Sequence, residues 1–132
     1  MRAYVYFNLH KRCWSVKALS GPNRGRVVRH VNVVHMHNVG THVNHKARER
    51  VRNTGRKEVH AGITGDVVAM APEPLDVVAR HEDSDGWSLV TYNPYRFDSF
   101  VTKTAHEPVT QSDQVVMLNG STGPEVWMYN AA

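Results

Sequence analysis

Apolar and polar residues alternate along much of this chain, and the alternation has the two-residue period of β-strands rather than the 3.6-residue period of helices. Tyr4 to Phe7 is a short aromatic and β-branched run, and from Cys13 to Leu19 the residues Trp14, Val16 and Ala18 fall on one side. These predict two strands paired through the turn Asn8–Arg12. Ser20-Gly21-Pro22-Asn23-Arg24-Gly25 is dense in turn formers, so a third strand should complete a meander. It is predicted as one long element from Arg26 to about Asn38. A strict two-residue period then puts Val27, Val31 and Val33 on one face, continued by His35 and His37, with Val28, His30, Val34 and Met36 on the other.

The pattern changes between Asn44 and Thr54. Asn44 is suited to accept the first free helical N–H groups and Gly55 to end the helix, which predicts about three helical turns. Ala47 and Val51, one turn apart, define its inward side, leaving Lys46, Arg48, Arg50 and Arg52 for solvent or a ligand. A strand from about Val59 to Met70 follows, interrupted by Gly62 and Gly65, where a bulge or a close backbone approach is expected. Pro72, Pro74 and the acidic stretch His81–Gly86 predict a connection over residues 71–86. Trp87–Tyr92, Phe97–Lys103, Gln114–Leu118 and Glu125–Tyr129 predict four more strands, the last two joined by a hairpin loop over Asn119–Pro124. The expected fold is mainly β (α+β): an antiparallel sheet of about seven to eight strands with one short arginine-rich helix near 45–54. We expect a single domain over 1–132, made of a basic segment 1–70, the connection 71–86 and an acidic, strand-rich segment 87–132.

Composition supports this picture. Of the 132 residues 41% are hydrophobic and 21% charged, enough apolar mass for a core, and 21 valines against five leucines and one isoleucine favour sheet over helix. No apolar run approaches the roughly 18 residues of a membrane-spanning helix, and no secretory signal pattern precedes the first strand, so a soluble protein of the cytoplasm is expected. The lone Cys13 excludes an internal disulfide and a cysteine-rich zinc site. Its basic neighbours favour the thiolate, but a small buried strand residue is the expectation.

Charge adds a functional direction. Residues 1–60 hold thirteen Lys and Arg against two acids, while 61–132 hold three against ten. Such a split makes a dipolar surface with a basic lobe that attracts phosphates, unless the two lobes neutralise each other within the domain or between copies. The densest cations are Lys46, Arg48 and Arg52, followed by Arg56 and Lys57 at the helix exit. Guanidinium forks suit bidentate phosphate contacts, and a solvated helix face is the plain alternative. His60 is placed to add a hydrogen bond. Tyr92-Asn93-Pro94-Tyr95-Arg96 offers rings to stack on a base, an amide to read its edge and a further cation, although the same residues suit an ordinary turn.

Other chemistries are weaker. His35, His37, His42 and His45 lie close together, and a two-apart pair on a strand can share a metal, but no Asp or Glu between Val27 and Ala47 completes a ligand set. No metal and no cofactor is therefore expected. A His-Asn-His nuclease set drawn from His42 or His45, Asn53 and His60 has the helix before the strand instead of after it. No nucleophile elbow or phosphate-binding glycine loop is present, and Gly62-Ile63-Thr64-Gly65 is too sparse to serve as one.

Several strings, in order, carry a resemblance: Tyr4-Val5-Tyr6-Phe7-Asn8, Cys13-Trp14-Ser15-Val16, Gly25-Arg26-Val27-Val28 with His30, Arg56-Lys57-Glu58-Val59-His60-Ala61-Gly62, Thr91-Tyr92-Asn93-Pro94-Tyr95, Ser99-Phe100-Val101 and Val126-Trp127. Through them nearly the whole chain resembles a family of small accessory proteins of tailed bacteriophages. The resemblance implies an origin, in the cytoplasm of a bacterial host, rather than a chemistry. It implies the roles open to such proteins: blocking a host machine, capturing a nucleotide signal of host immunity, or binding nucleic acid. The expectation is a non-enzymatic anti-defence protein that captures a nucleotide-type immune signal between the arginine helix and Tyr92–Arg96. A binder of nucleic acid or of a host protein is the alternative, and a metal-dependent phosphoesterase or nuclease the enzymatic one. The expected partners are thus an anionic ligand or a host protein, with no membrane and with self-association open.

Overall fold

A computed structural model describes residues 1–55, 59–71, 87–92, 99–102, 108–120 and 123–129. Among them are eight strands and one helix: β1 (Arg2–Asn8), β2 (Cys13–Ala18), β3 (Val27–Val31), β4 (Val33–Val43), α1 (His45–Thr54), β5 (Ala61–Ala71), β6 (Trp87–Val90), β7 (Gln111–Gly120) and β8 (Gly123–Tyr129). The strands form one antiparallel sheet in the order β3-β2-β1-β5-β4-β7-β8-β6. The mainly-β expectation holds.

The predicted long third strand is two strands. Val31 ends β3 and Val33 begins β4, with Asn32 between them. In the sheet, however, β3 and β4 are separated by β2, β1 and β5. A flat sheet would put them roughly 19 Å apart at about 4.8 Å per strand, whereas residues two apart lie within about 7 Å. The sheet must therefore curl until its β3 edge meets β4. Asn119 holds this corner: its backbone N–H donates to the Asn32 carbonyl at 3.0 Å and its Nδ2 to Asn32 Oδ1 at 2.9 Å. The corner also changes the face assignment. Val31 joins the main core with Val34 and Met36, while Val33 packs in a different cluster, so Val31 and Val33 do not share a face.

The inward residues are those the alternation selects: Ala3, Val5 and Phe7 on β1, Trp14 and Val16 on β2, Ala61 and Ile63 on β5, Val115 and Met117 on β7, and Val126 and Met128 on β8. The far side of β4, β7 and β8 carries a second apolar cluster of Val33, Val116, Leu118 and Trp127, flanked by Trp87 and Leu89. On β4 the inward positions shift from Met36 to Val39 across a bulge at Asn38, whose φ is 54°. Gly65 faces this bulge, and a Cβ there would lie 2.9 Å from the His37 carbonyl oxygen. The close approach predicted at Gly65 is thus real.

Residues 99–102, within the predicted strand Phe97–Lys103, do not form a strand. Phe100 has φ 64°, incompatible with an extended run, and only the isolated bridges Val90↔Thr102 and Val101↔Pro108 occur. The rest of that prediction, and the connection at 72–86, lie outside the described residues.

Helix α1 forms as predicted. Asn44 Oδ1 accepts the Ala47 N–H at 3.1 Å, Gly55 takes φ 67° with its N–H on the Val51 carbonyl, and Ala47 and Val51 are the buried residues. Each cap is separable by mutation. Asn44→Ala and Gly55→Ala are each expected to lower stability by about 1 kcal/mol in urea unfolding, through the lost cap bond and the Cβ forced into a left-handed conformation. No change in either would mean that α1 does not depend on its caps.

Candidate functional site

The helix is an excursion from a hairpin. The β4–β5 ladder reaches His42↔Gly62 and Val43↔Ala61, and the Asn44 N–H then donates to the His60 carbonyl at 2.7 Å. The chain leaves the sheet at Asn44 and is back beside it at His60. With Ala47 and Val51 turned inward, Lys46, Arg50 and Arg52 are exposed and Arg48 is half-buried; Glu49 is the one acid in the helix. Arg2 pairs with Asp66 at 3.6 Å, away from α1, and no described carboxylate pairs with Lys46 or Arg48.

Of the ten residues singled out in the sequence, Lys46, Arg48 and Arg52 share α1. Arg56, Lys57, Asn93, Tyr95 and Arg96 lie outside the described residues. His60 is 1% exposed, so it is a buried side chain beside the helix entry, not a surface group. Tyr92 is also buried, at 8% exposure, and its ring packs 5.1 Å from Trp14 and 5.6 Å from Phe100. Its hydroxyl accepts the Phe7 N–H at 3.1 Å and donates to the Ala61 carbonyl at 2.7 Å. The β1–β5 ladder runs from Arg2↔Asp66 to Val5↔Ile63, so Phe7 and Ala61 lie two positions beyond its last rung, and the phenol oxygen bridges the gap where the strands part. Burial holds this phenol far above its ordinary pKa of 10.0.

Among the described residues the histidines are not grouped to hold a metal ion. His35 and His37 rings meet edge to face at 5.1 Å, with His35 Nε2 3.0 Å from Gln114 Oε1, while His42 Nε2 lies 2.9 Å from Thr64 Oγ1. Among the described residues no three His, Cys, Asp or Glu side chains are grouped to hold an ion. Cys13 is half-buried, and desolvation raises its thiol pKa more than Lys11 lowers it, so the thiolate is disfavoured.

One feature was present in the sequence but went unread. Because Ala3, Val5 and Phe7 face the core, Tyr4 and Tyr6 face outward, with ring centroids 5.9 Å apart. Tyr4 lies across Gly62: a Cβ at that glycine would be 2.3 Å from the Tyr4 Cζ. The His42 ring stands edge-on to Tyr4 at 6.4 Å, and Lys17 is the cross-strand neighbour of Tyr4. Burial, and secondarily Tyr6, raises the Tyr4 phenol pKa. Thr64, opposite Tyr4 on β5, also lines a polar cleft of about 590 Å³ with Arg2, Asn38, Gly40, Gln111 and Asp113. The alternation of Tyr4 and Tyr6 with Ala3, Val5 and Phe7 was the signal that could have found this face.

Among the described residues no helix is long and apolar enough to cross a membrane. No solved structure matches the chain. Residues 1–123 match the family described as Mycobacterium phage L5 gene 82 protein. The gene 82 protein of Mycobacterium phage L5 is 36% identical over 126 residues, a span covering 89% of this chain and 90% of that protein. With nearly full-length matches to both the family and the phage protein, this chain belongs to the Mycobacterium phage L5 gene 82 family.

Proposed function

We propose that this chain is a non-enzymatic phage accessory protein that binds nucleic acid through its basic helix. The observation that carries this reading is the arrangement of α1, which buries Ala47 and Val51 and turns Lys46, Arg50 and Arg52 outward with one acid among them. Such a face, rich in guanidinium and ammonium groups, attracts phosphates. Capture of a nucleotide-type immune signal, an anti-defence role, needs the same cations plus a ring free to hold the base. Tyr92 is committed to the core, which favours an extended phosphate chain over a small enclosed ligand.

Fluorescence anisotropy with labelled oligonucleotides tests the proposal. Affinity for duplex DNA is expected to fall with salt, with a log–log slope of about −0.9 per phosphate neutralised. The double variant Lys46→Gln/Arg48→Gln should weaken binding and make that slope shallower by roughly two such increments. Absence of salt-dependent binding overturns the proposal. A rise in melting temperature with a single nucleotide class, without oligonucleotide binding, overturns it in favour of signal capture.

A further inference from the structure

We propose that the outer face of β1, β5 and β4, bearing Tyr4, Tyr6 and His42, is a base-stacking platform for single-stranded nucleic acid. This rests on the reading of the chain as a nucleic-acid binder and adds which form it takes and which second surface holds it.

A strand in a curled sheet buries alternate side chains, and the outward positions are ordinarily polar. Here two of them, Tyr4 and Tyr6, are large rings that are partly buried and keep part of their surface open to solvent. Glycine at 62 leaves the space over β5 into which the Tyr4 ring lies down, so that its opposite face is turned away from the sheet. His42, hydrogen-bonded to Thr64, adds a third ring in a fixed orientation. Aromatic side chains spaced along an exposed sheet are what unpaired bases stack on, because every base has a π-face, whereas the bases of a duplex are stacked on each other and cannot lie on them.

Charge selects the same occupant. Lys17 sits beside Tyr4, and β4 continues from His42 through Val43 and Asn44 into α1, so the helix cations begin at the end of the ring row. Arg2 lies at the other end, where the polar cleft opens beside Thr64. Among the described residues the acids on this side are Asp66, which pairs with Arg2 and accepts from Asn38 Nδ2, and Asp113 in the cleft. A strand laid along this face would have phosphates toward Lys17 and α1, bases on the rings, and polar groups at the cleft for a base edge.

The test compares a short labelled single strand with the duplex of the same sequence on the wild-type protein and on variants. The single strand is expected to bind about tenfold or more tightly than the duplex. Tyr4→Leu/Tyr6→Leu should abolish most of that preference while leaving duplex binding unchanged, and Tyr4→Phe/Tyr6→Phe should retain it. Ultraviolet cross-linking of a 5-iodouridine strand to the wild-type protein needs no variant to fold, and adducts are expected in the segment Tyr4–Tyr6 or at His42. If strand and duplex bind alike and only the Lys46→Gln/Arg48→Gln variant weakens both, the platform is overturned while binding through the helix stands. If the leucine variant loses thermal stability but keeps the single-strand preference, the rings serve only to cover Gly62 and the platform is again overturned. If no oligonucleotide binds, both readings fall.

Discussion

Tyr92→Phe is expected to destabilise the protein by about 2–4 kcal/mol, although it removes a single oxygen atom. That oxygen takes the place of a backbone pair, so its loss strands the buried Phe7 N–H and Ala61 C=O, each at a cost of about 1–3 kcal/mol. Urea unfolding should show a lower midpoint with an unchanged slope. The effect carries a pH signature. In the unfolded chain the phenol ionises near pH 10, whereas burial keeps it protonated in the fold, so the folded state holds more protons and stability falls as pH rises above 10. The decline contributed by this group is up to about 1.4 kcal/mol per pH unit, and it is fully absent below that range. Tyr4 acts in the same direction and is retained in the variant, so the gap between wild type and Tyr92→Phe should narrow as pH rises above 10. A variant as stable as wild type, or a gap that ignores pH, contradicts the bridging role.

Trp14→Ala is expected to cost about 3–5 kcal/mol, the usual range for emptying a fully buried aromatic site. Trp14 is 0% exposed, edge-to-face with Phe7 at 5.3 Å and tilted against Tyr92 at 5.1 Å, at the point where β1, β2 and the segment after β6 converge. Trp14→Phe should cost much less. It keeps an aromatic ring in the cluster and removes the indole Nε1–H, which has no hydrogen-bond partner among the described residues. Against a total stability of about 5–15 kcal/mol, the alanine variant should lose a large share and the phenylalanine variant little, as read from their urea midpoints. Equal losses would place Trp14 outside the core.

What the sequence revealed depended on how far apart the determining residues lie. Helix α1 was legible down to its caps because Asn44, Ala47, Val51 and Gly55 act on one another within three turns. The inward face of β2, with Trp14, Val16 and Ala18, was legible because alternation is local. The corner at Asn32 was not, since its partner Asn119 lies 87 residues away and a single asparagine in a stretch rich in valine and histidine does not mark a bend. The same limit misdirected the reading of the site. Tyr92 sits in a Tyr-Asn-Pro-Tyr string that suits a surface turn, and only the juxtaposition of Phe7 and Ala61 shows that its hydroxyl belongs inside. Tyr4 and Tyr6 were read as strand formers alone because the significance of Gly62 appears only when β5 is laid beside β1.

The closure of the hairpin between Asn44 and His60 has an architectural consequence. Since the strands are already joined there, residues 45–59 are an insert whose ends nearly meet, and exchanging them for a tight turn leaves every rung of the ladder below in place. The cationic element thus adds no rung to the ladder and is held to the scaffold through its buried Ala47 and Val51.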